Sequence, residues 1–338
     1  MTMHDPTAQT LVDGVLAGDR RALARLITQV ENRTPTAREA LALLYPHTGR
    51  AYLVGVTGAP GTGKSTLVNA LTRTLRAQDR TVGIVAVDPT SPFSGGAVLG
   101  DRIRMTDLAG DKGVFIRSMA NRGSLGGLAA TTGDVVRVMD AAGFDIVLIE
   151  TVGAGQSEVD IARTAYTTIV VDTPGMGDDV QAIKAGILEI ADILVVNKAD
   201  RPGVQNTIRA LRAMLETGHR FRMAGHHGLL RDDSAPPAAP EYDFWNVPIL
   251  QTVATEFDGL DALAESIDQH RAHLNDSGIL ADREQQRVEA ELLERLRDAL
   301  LARLIARQTP AALRDVVRRM VARELDPGSA VRELIEGA

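Results

Sequence analysis

One eight-residue string, GAPGTGKS at 58–65, constrains this chain more than anything else in it. It fits G-x-x-x-x-G-K-[ST] at every fixed position, follows the apolar run YLVGV and opens the helical stretch STLVNALTRTL. A strand that hands a glycine-rich loop to a helix N-terminus is built to hold phosphate, because inward-turned backbone N–H groups and the helix dipole both favour an anion. In this reading Gly58, Ala59, Pro60, Gly61, Thr62 and Gly63 wrap a β-phosphate. Lys64 reaches the β- and γ-phosphates, the Ser65 hydroxyl binds Mg²⁺, and Thr66 completes the nucleotide-binding run.

Downstream, short apolar runs alternate with amphipathic stretches: TVGIVAV, FDIVLI, TTIVV, DILVV and VPILQT, with helices expected near 64–77, 131–142, 179–190, 203–217 and 259–274. That alternation predicts an α/β fold with a mainly parallel sheet and crossover helices. Residues 8–45 read as helices that pack, and 219–243 reads as a surface loop. From about 281 the alternation stops. Val288, Leu292, Leu296, Leu300 and Leu304 recur at spacings of four, and further helices are expected at 310–323 and after DPGS at 326–329. The boundaries expected are 1–48 for an N-terminal helical extension, 49–278 for the nucleotide domain and 279–338 for a C-terminal helical arm.

The run LVVNKAD places Asn197, Lys198 and Asp200 at a strand end. Guanine presents N1–H and an exocyclic amine side by side, and the Asp200 carboxylate can accept from both, which adenine cannot satisfy. Asn197 would tie this loop to the cradle and the Lys198 stem would cover the ring. GTP is therefore the expected nucleotide, with ATP the alternative. Acids at three strand ends compete for the metal and the γ-phosphate: Asp88 after TVGIVAV, Glu150 in Glu150-Thr-Val-Gly153, and Asp172 in DTPG. Mg²⁺ takes one or two carboxylates plus phosphate oxygens and water. Glu150 is preferred over Asp172, because its strand is the more completely apolar and Gln156 follows near any attacking water. Asp101 lies in the long stretch 89–105, where a metal-ordered loop and a solvated loop acid read equally well.

Composition removes other classes. There is no cysteine, so disulfides, thiolate metal sites and cysteine nucleophiles are absent. A formal net charge of −7 argues against nucleic acid or an anionic membrane as the main partner. No stretch reaches the roughly 18 apolar residues of a membrane span, and MTMHDPTAQT lacks the charge and apolar run of a signal peptide. A cytoplasmic protein is expected.

Together VDPTSPFSGGAVLGDRIRM, IETVGAGQSE, PGMGDDVQAIKAGILEIADILVVNKAD and the C-terminal DPGSA resemble the MeaB/ArgK family over nearly the whole chain. These are SIMIBI-type P-loop GTPases that act as chaperones of adenosylcobalamin-dependent acyl-CoA mutases such as methylmalonyl-CoA mutase. The resemblance implies that Asp88, Asp101 and Glu150 serve magnesium and hydrolysis. It implies nucleotide-sensitive switches at 89–117, 151–163 and 174–190, and a second guanine loop at Val253, Ala254 and Thr255. It further implies a homodimer through the helical arm, and gating of cobalamin delivery to a mutase that is also protected from inactivation.

Two other functions compete. A metal-delivery GTPase of the urease or hydrogenase maturation type would need ligands, for which His219, His226 and His227 are the only histidine cluster. A transport-linked kinase would need a phosphoacceptor partner that no sequence feature supports.

Overall fold

The computed structural model describes residues 6–89, 106–108, 110–121, 127–151, 161, 164–175, 190–218 and 245–337. Asp101, Gly153, all but the last residue of the helix expected at 179–190 and the three loop histidines lie outside the described residues.

Seven strands form one sheet in the order β3-β2-β4-β1-β5-β6-β7, and every neighbouring pair is parallel. They are β1 (Tyr52–Thr57), β2 (Val82–Pro89), β3 (Val114–Asn121), β4 (Ile146–Thr151), β5 (Thr167–Asp172), β6 (Ile193–Asn197) and β7 (Ile249–Thr252). The central strands β1, β4, β5 and β6 are buried throughout, which is why they read as unbroken apolar runs. β1 lies between β4 and β5, so the order reverses around the strand that carries the glycine-rich loop. Open α/β sheets bind ligands at such a reversal, outside the carboxyl ends of the strands.

The sequence reading missed β3, whose first four residues fall within the stretch 89–117 that the family resemblance implies is a nucleotide-sensitive switch. β3 is an edge strand whose apolar alternation is broken at Arg117. That arginine is a tether: its Nε donates to Glu31 Oε1 at 2.7 Å, on the N-terminal helix α2 (Arg20–Glu31). A second tether closes the other side. The Asp140 carboxylate accepts from the backbone N–H groups of Gly49, Arg50 and Ala51 at 2.5, 3.0 and 2.9 Å. Asp140 belongs to α5 (Gly127–Ala141), against which α1 (Ala8–Leu16), α2 and α3 (Pro35–Leu44) pack. Thr7, Asp19 and Thr34 cap the three N-terminal helices. Leu26, Ile27 and Leu44 are fully buried in the same cluster as Val85, Val147 and Ile149 of the sheet. At about 1.5–3 kcal/mol per buried side chain, these helices hold to the sheet by apolar burial.

The opposite face is covered by α4 (Lys64–Ala77) and α7 (Leu260–Asp276), and α6 (Val204–Gly218) covers β5 and β6 on the first side. Contacts divide the chain into two compact units, 1–285 and 286–338. The second holds most of α8 (Ile279–Arg307), with α9 (Pro310–Val321) and α10 (Pro327–Glu336). Within it Gln308 Nε2 donates to Leu334 O at 2.9 Å and Arg319 pairs with Glu333 at 2.7 Å. The expected stripe is exposed: Val288 at 40%, Leu292 at 58%, Leu296 at 50% and Leu300 at 56%, with Leu304 half-buried.

Candidate nucleotide site

β1 ends at Thr57 and α4 begins at Lys64, so residues 58–63 are the connecting loop. Two glycines in it have no substitute. Gly58 has φ 140°, and a Cβ there would stand 2.1 Å from Val171 O on β5. Gly63 has φ 92°, and its Cβ would stand 2.6 Å from Asn197 Nδ2. The loop is thus wedged between β5 and the end of β6, with no room for a side chain at either contact. Lys64 is buried, and its ammonium donates to Gly58 O at 2.8 Å and Ala59 O at 3.0 Å. These carbonyls hold the cation over the loop, where an incoming phosphate can take it over at little reorganisation cost.

Asn197 joins the two halves. Its Nδ2 donates to Thr62 O at 2.9 Å, while its Oδ1 accepts from Thr252 Oγ1 at 3.1 Å and Ala254 N at 3.3 Å. Lys198 adopts φ 57° and donates from Nζ to Gly61 O at 2.7 Å, laying its stem beside the loop. Asp200 is exposed at the rim, Val253 and Ala254 are buried, and Thr255 is exposed. The sequence reading did not single out Thr252. Its position at the end of the run VPILQT, in register with Asn197, is the signal that finds it.

The acids separate by partner. Glu150, 2% exposed on β4, accepts from Ser65 Oγ at 2.6 Å through Oε1, so a carboxylate and the expected metal-binding hydroxyl converge at the start of α4. This donor pair suits Mg²⁺, a hard cation that takes few protein oxygens. Among the described residues no group of three or more acids or histidines forms a ready metal cage. Asp88 lies next to last on β2, in register with Ala120. Asp172 ends β5 and is 4% exposed. Its Oδ1 accepts from Thr173 N at 2.8 Å, while Oδ2 has no partner among the described residues. Burial raises this carboxyl above the ordinary aspartate range, and the Thr173 N–H offsets only part of that. Strand alternation sends Ile169 and Val171 to the α4 side and Val170 to the α6 side, so Asp172 stands on the face opposite Glu150.

Comparison with known proteins decides the family. Residues 23–309 match the family model described as methylmalonyl Co-A mutase-associated GTPase MeaB. This chain belongs to the MeaB family. A protein of Pyrococcus abyssi named as a GTPase is 45% identical over 332 residues, covering 97% of each chain. GTPase ArgK of Escherichia coli is 34% identical over 346 residues, covering 99% of this chain and 97% of its own. A crystal structure titled LAO/AO transport system kinase superposes with a TM-score of 0.70 at 28% identity, covering 99% of both chains. The fold is that of a P-loop GTPase, and the chain is a GTP hydrolase. The glycine-rich loop and the Asn-Lys-x-Asp strand end are brought together at the carboxyl ends of β1 and β6. Among the described residues no helix is long and apolar enough to cross a membrane.

Proposed function

We propose that this MeaB-family GTPase is a cytoplasmic chaperone that gates cofactor loading and protects an adenosylcobalamin-dependent acyl-CoA mutase. The observation that carries the reading is the family match across 23–309, whose description names the mutase association. In this reading residues 58–66 bind the phosphates. Asn197, Lys198, Asp200, Val253, Ala254 and Thr255 form the base pocket, and Ser65, Asp88, Asp101 and Glu150 serve Mg²⁺. The ion, when bound, neutralises charge on the β- and γ-phosphate oxygens.

The chain's own groups do the rest. Lys64 leaves the Gly58 and Ala59 carbonyls for the phosphates. Glu150, anchored on β4 beside Ser65, orients the attacking water and takes its proton, and Gly153 lets the following backbone approach the γ-phosphate. The contact between Glu150 and Ser65 supports Glu150 over Asp172 for this role. We further propose that the chain is a homodimer through 279–338. A contiguous exposed apolar stripe of the kind at Leu292, Leu296 and Leu300 marks an interface.

Two measurements test the proposal. Light scattering after size exclusion should give twice the 36.1 kDa chain mass. GTP hydrolysis should accelerate when the partner mutase is added and remain at its basal rate with an unrelated CoA enzyme. A monomer whose turnover ignores every cobalamin-dependent acyl-CoA mutase would remove the chaperone reading and leave the GTPase.

A further inference from the structure

The loop after β7 carries an aromatic residue in a backbone conformation that aromatic residues avoid. Val253 and Asp258 close a narrow antiparallel bridge. Val253 N donates to Asp258 O at 3.1 Å, and Glu256 N and Asp258 N donate to Val253 O at 2.9 and 3.3 Å. So short a reversal uses a left-handed residue, here Phe257 at φ 60°. Glycine or asparagine takes that conformation readily, whereas a bulky side chain persists there only when its surroundings hold it.

The core does not hold this ring, which is 47% exposed. Its neighbour is the Arg73 guanidinium, 5.6 Å from the ring centroid. Arg73 lies on α4, the helix that Lys64 and Ser65 open. Asp107 fixes it there: that carboxylate pairs with Arg73 and accepts from Asn69 Nδ2 at 2.9 Å. The base loop is therefore stacked on a cation that is locked to the phosphate-binding helix. At its other end the same loop delivers Ala254 N–H and the Thr252 hydroxyl to Asn197 Oδ1.

We infer that Phe257 is a positioning residue for guanine recognition, whose ring on the Arg73 guanidinium fixes the 253–258 loop to α4 and so holds Asn197 in place. This inference deepens the nucleotide-site reading and rests on it. A glycine or asparagine would suit the turn better and could not make the contact. The left-handed phenylalanine is thus explained by what its ring touches.

The test uses the full chain with Phe257→Asn, Phe257→Tyr, Arg73→Gln and the double variant Phe257→Asn/Arg73→Gln. Affinities for GDP, GTP and ATP, steady-state hydrolysis and Tm are measured. Phe257→Asn should weaken GDP and GTP binding about twofold to fivefold, the scale of an exposed cation–π contact. The loss should appear in KM rather than kcat, with Tm unchanged or raised, because asparagine accepts the left-handed backbone. Phe257→Tyr keeps the ring and should rescue binding. Arg73→Gln should match Phe257→Asn, and the double variant should be no weaker than either single one.

A merely structural turn residue would move Tm and leave the affinities alone. Guanine preference intact with Phe257→Asn binding GDP like wild type overturns the inference, as does a double variant that loses the product of the two single effects. A wild type that prefers adenine nucleotides overturns the nucleotide-site reading itself.

Discussion

The two ends of the sheet are both rich in buried polar groups, yet they are organised in opposite ways. At the amino ends of the strands the network closes on itself. Tyr52 Oη and Thr167 Oγ1 are 2.6 Å apart, and Thr167 Oγ1 is 2.8 Å from His270 Nδ1. The other ring nitrogen of His270 lies 3.4 Å from Asp192. Asp192 also accepts from Thr168 N at 2.8 Å and from Arg283 Nη2 at 3.0 Å, and Arg283 donates again to Tyr166 O at 2.5 Å. Burial pushes the Tyr52 hydroxyl up to about 12, so it stays a hydrogen-bond donor at all physiological pH.

At the carboxyl ends the polar groups stand in for something else. Lys64 rests on loop carbonyls, Asp172 Oδ2 and Thr173 Oγ1 have no partner among the described residues, and Phe257 sits in a strained conformation. A polar network knit mainly from the chain's own side chains rigidifies it, whereas a buried carboxylate oxygen and hydroxyl with no partner among the described residues, beside a glycine-rich loop, are where a ligand is expected. The first end is architecture and the second is the proposed nucleotide site.

That contrast predicts reciprocal failures. Lys64→Ala should lower GTP turnover by at least about 10³-fold, because the phosphate charge loses its fixed counter-ion, while the unfolding transition stays where it was. Arg283→Ala should do the reverse. It leaves Asp192, 5% exposed, short of its guanidinium partner, and with Arg283 itself partly exposed the cost should be about 1–3 kcal/mol of stability. Nucleotide affinity and basal kcat should hold. Denaturant unfolding and hydrolysis assays on both variants check the pair, and a Lys64→Ala protein with undiminished turnover breaks the contrast outright.

A smaller effect sharpens it. The Asp172 carboxyl is raised above its unfolded value, so the native state binds its proton more tightly than the unfolded chain does. Its contribution is most favourable when protonated, and is lost as pH rises from the ordinary carboxylate range through the folded pKa. Asp172→Asn has no such slope. It should stabilise the protein by about 1 kcal/mol at neutral pH and lose that advantage in acid. Hydrolysis should fall far less in this variant than in Glu150→Gln. Thermal melts from acid to neutral pH decide the first point, and a stability gap that does not narrow in acid contradicts it.

What the sequence displayed follows from the same division. The phosphate loop and the Asn-Lys-x-Asp strand end are contiguous strings whose geometry is local, so they were legible at once. The central strands were legible because both faces are buried. β3 was hidden because Arg117 serves a tether to Glu31 far away in the chain. The amino-end network could not be read at all, since Tyr52, Thr167, Asp192, His270 and Arg283 come together only through the strand order. The choice of Glu150 over Asp172 rested on the apolar character of its strand and on Gln156 in the loop that follows; Glu150 stands beside Ser65, and hydrolysis by the two variants tests the choice. Phe257 carried no pattern, because a backbone conformation is not a spacing.

The central claim is that the carboxyl end of this sheet reads guanine through Asp200. The most direct measurement is competition binding of GTP, ATP and XTP to the wild type and to Asp200→Asn. The wild type should prefer GTP. The variant should lose about 10²–10³-fold in GTP affinity and turn toward XTP, whose 2-oxo group pairs with the new amide donor. A wild type that prefers ATP, or an Asp200→Asn protein that binds GTP undiminished, would contradict the account.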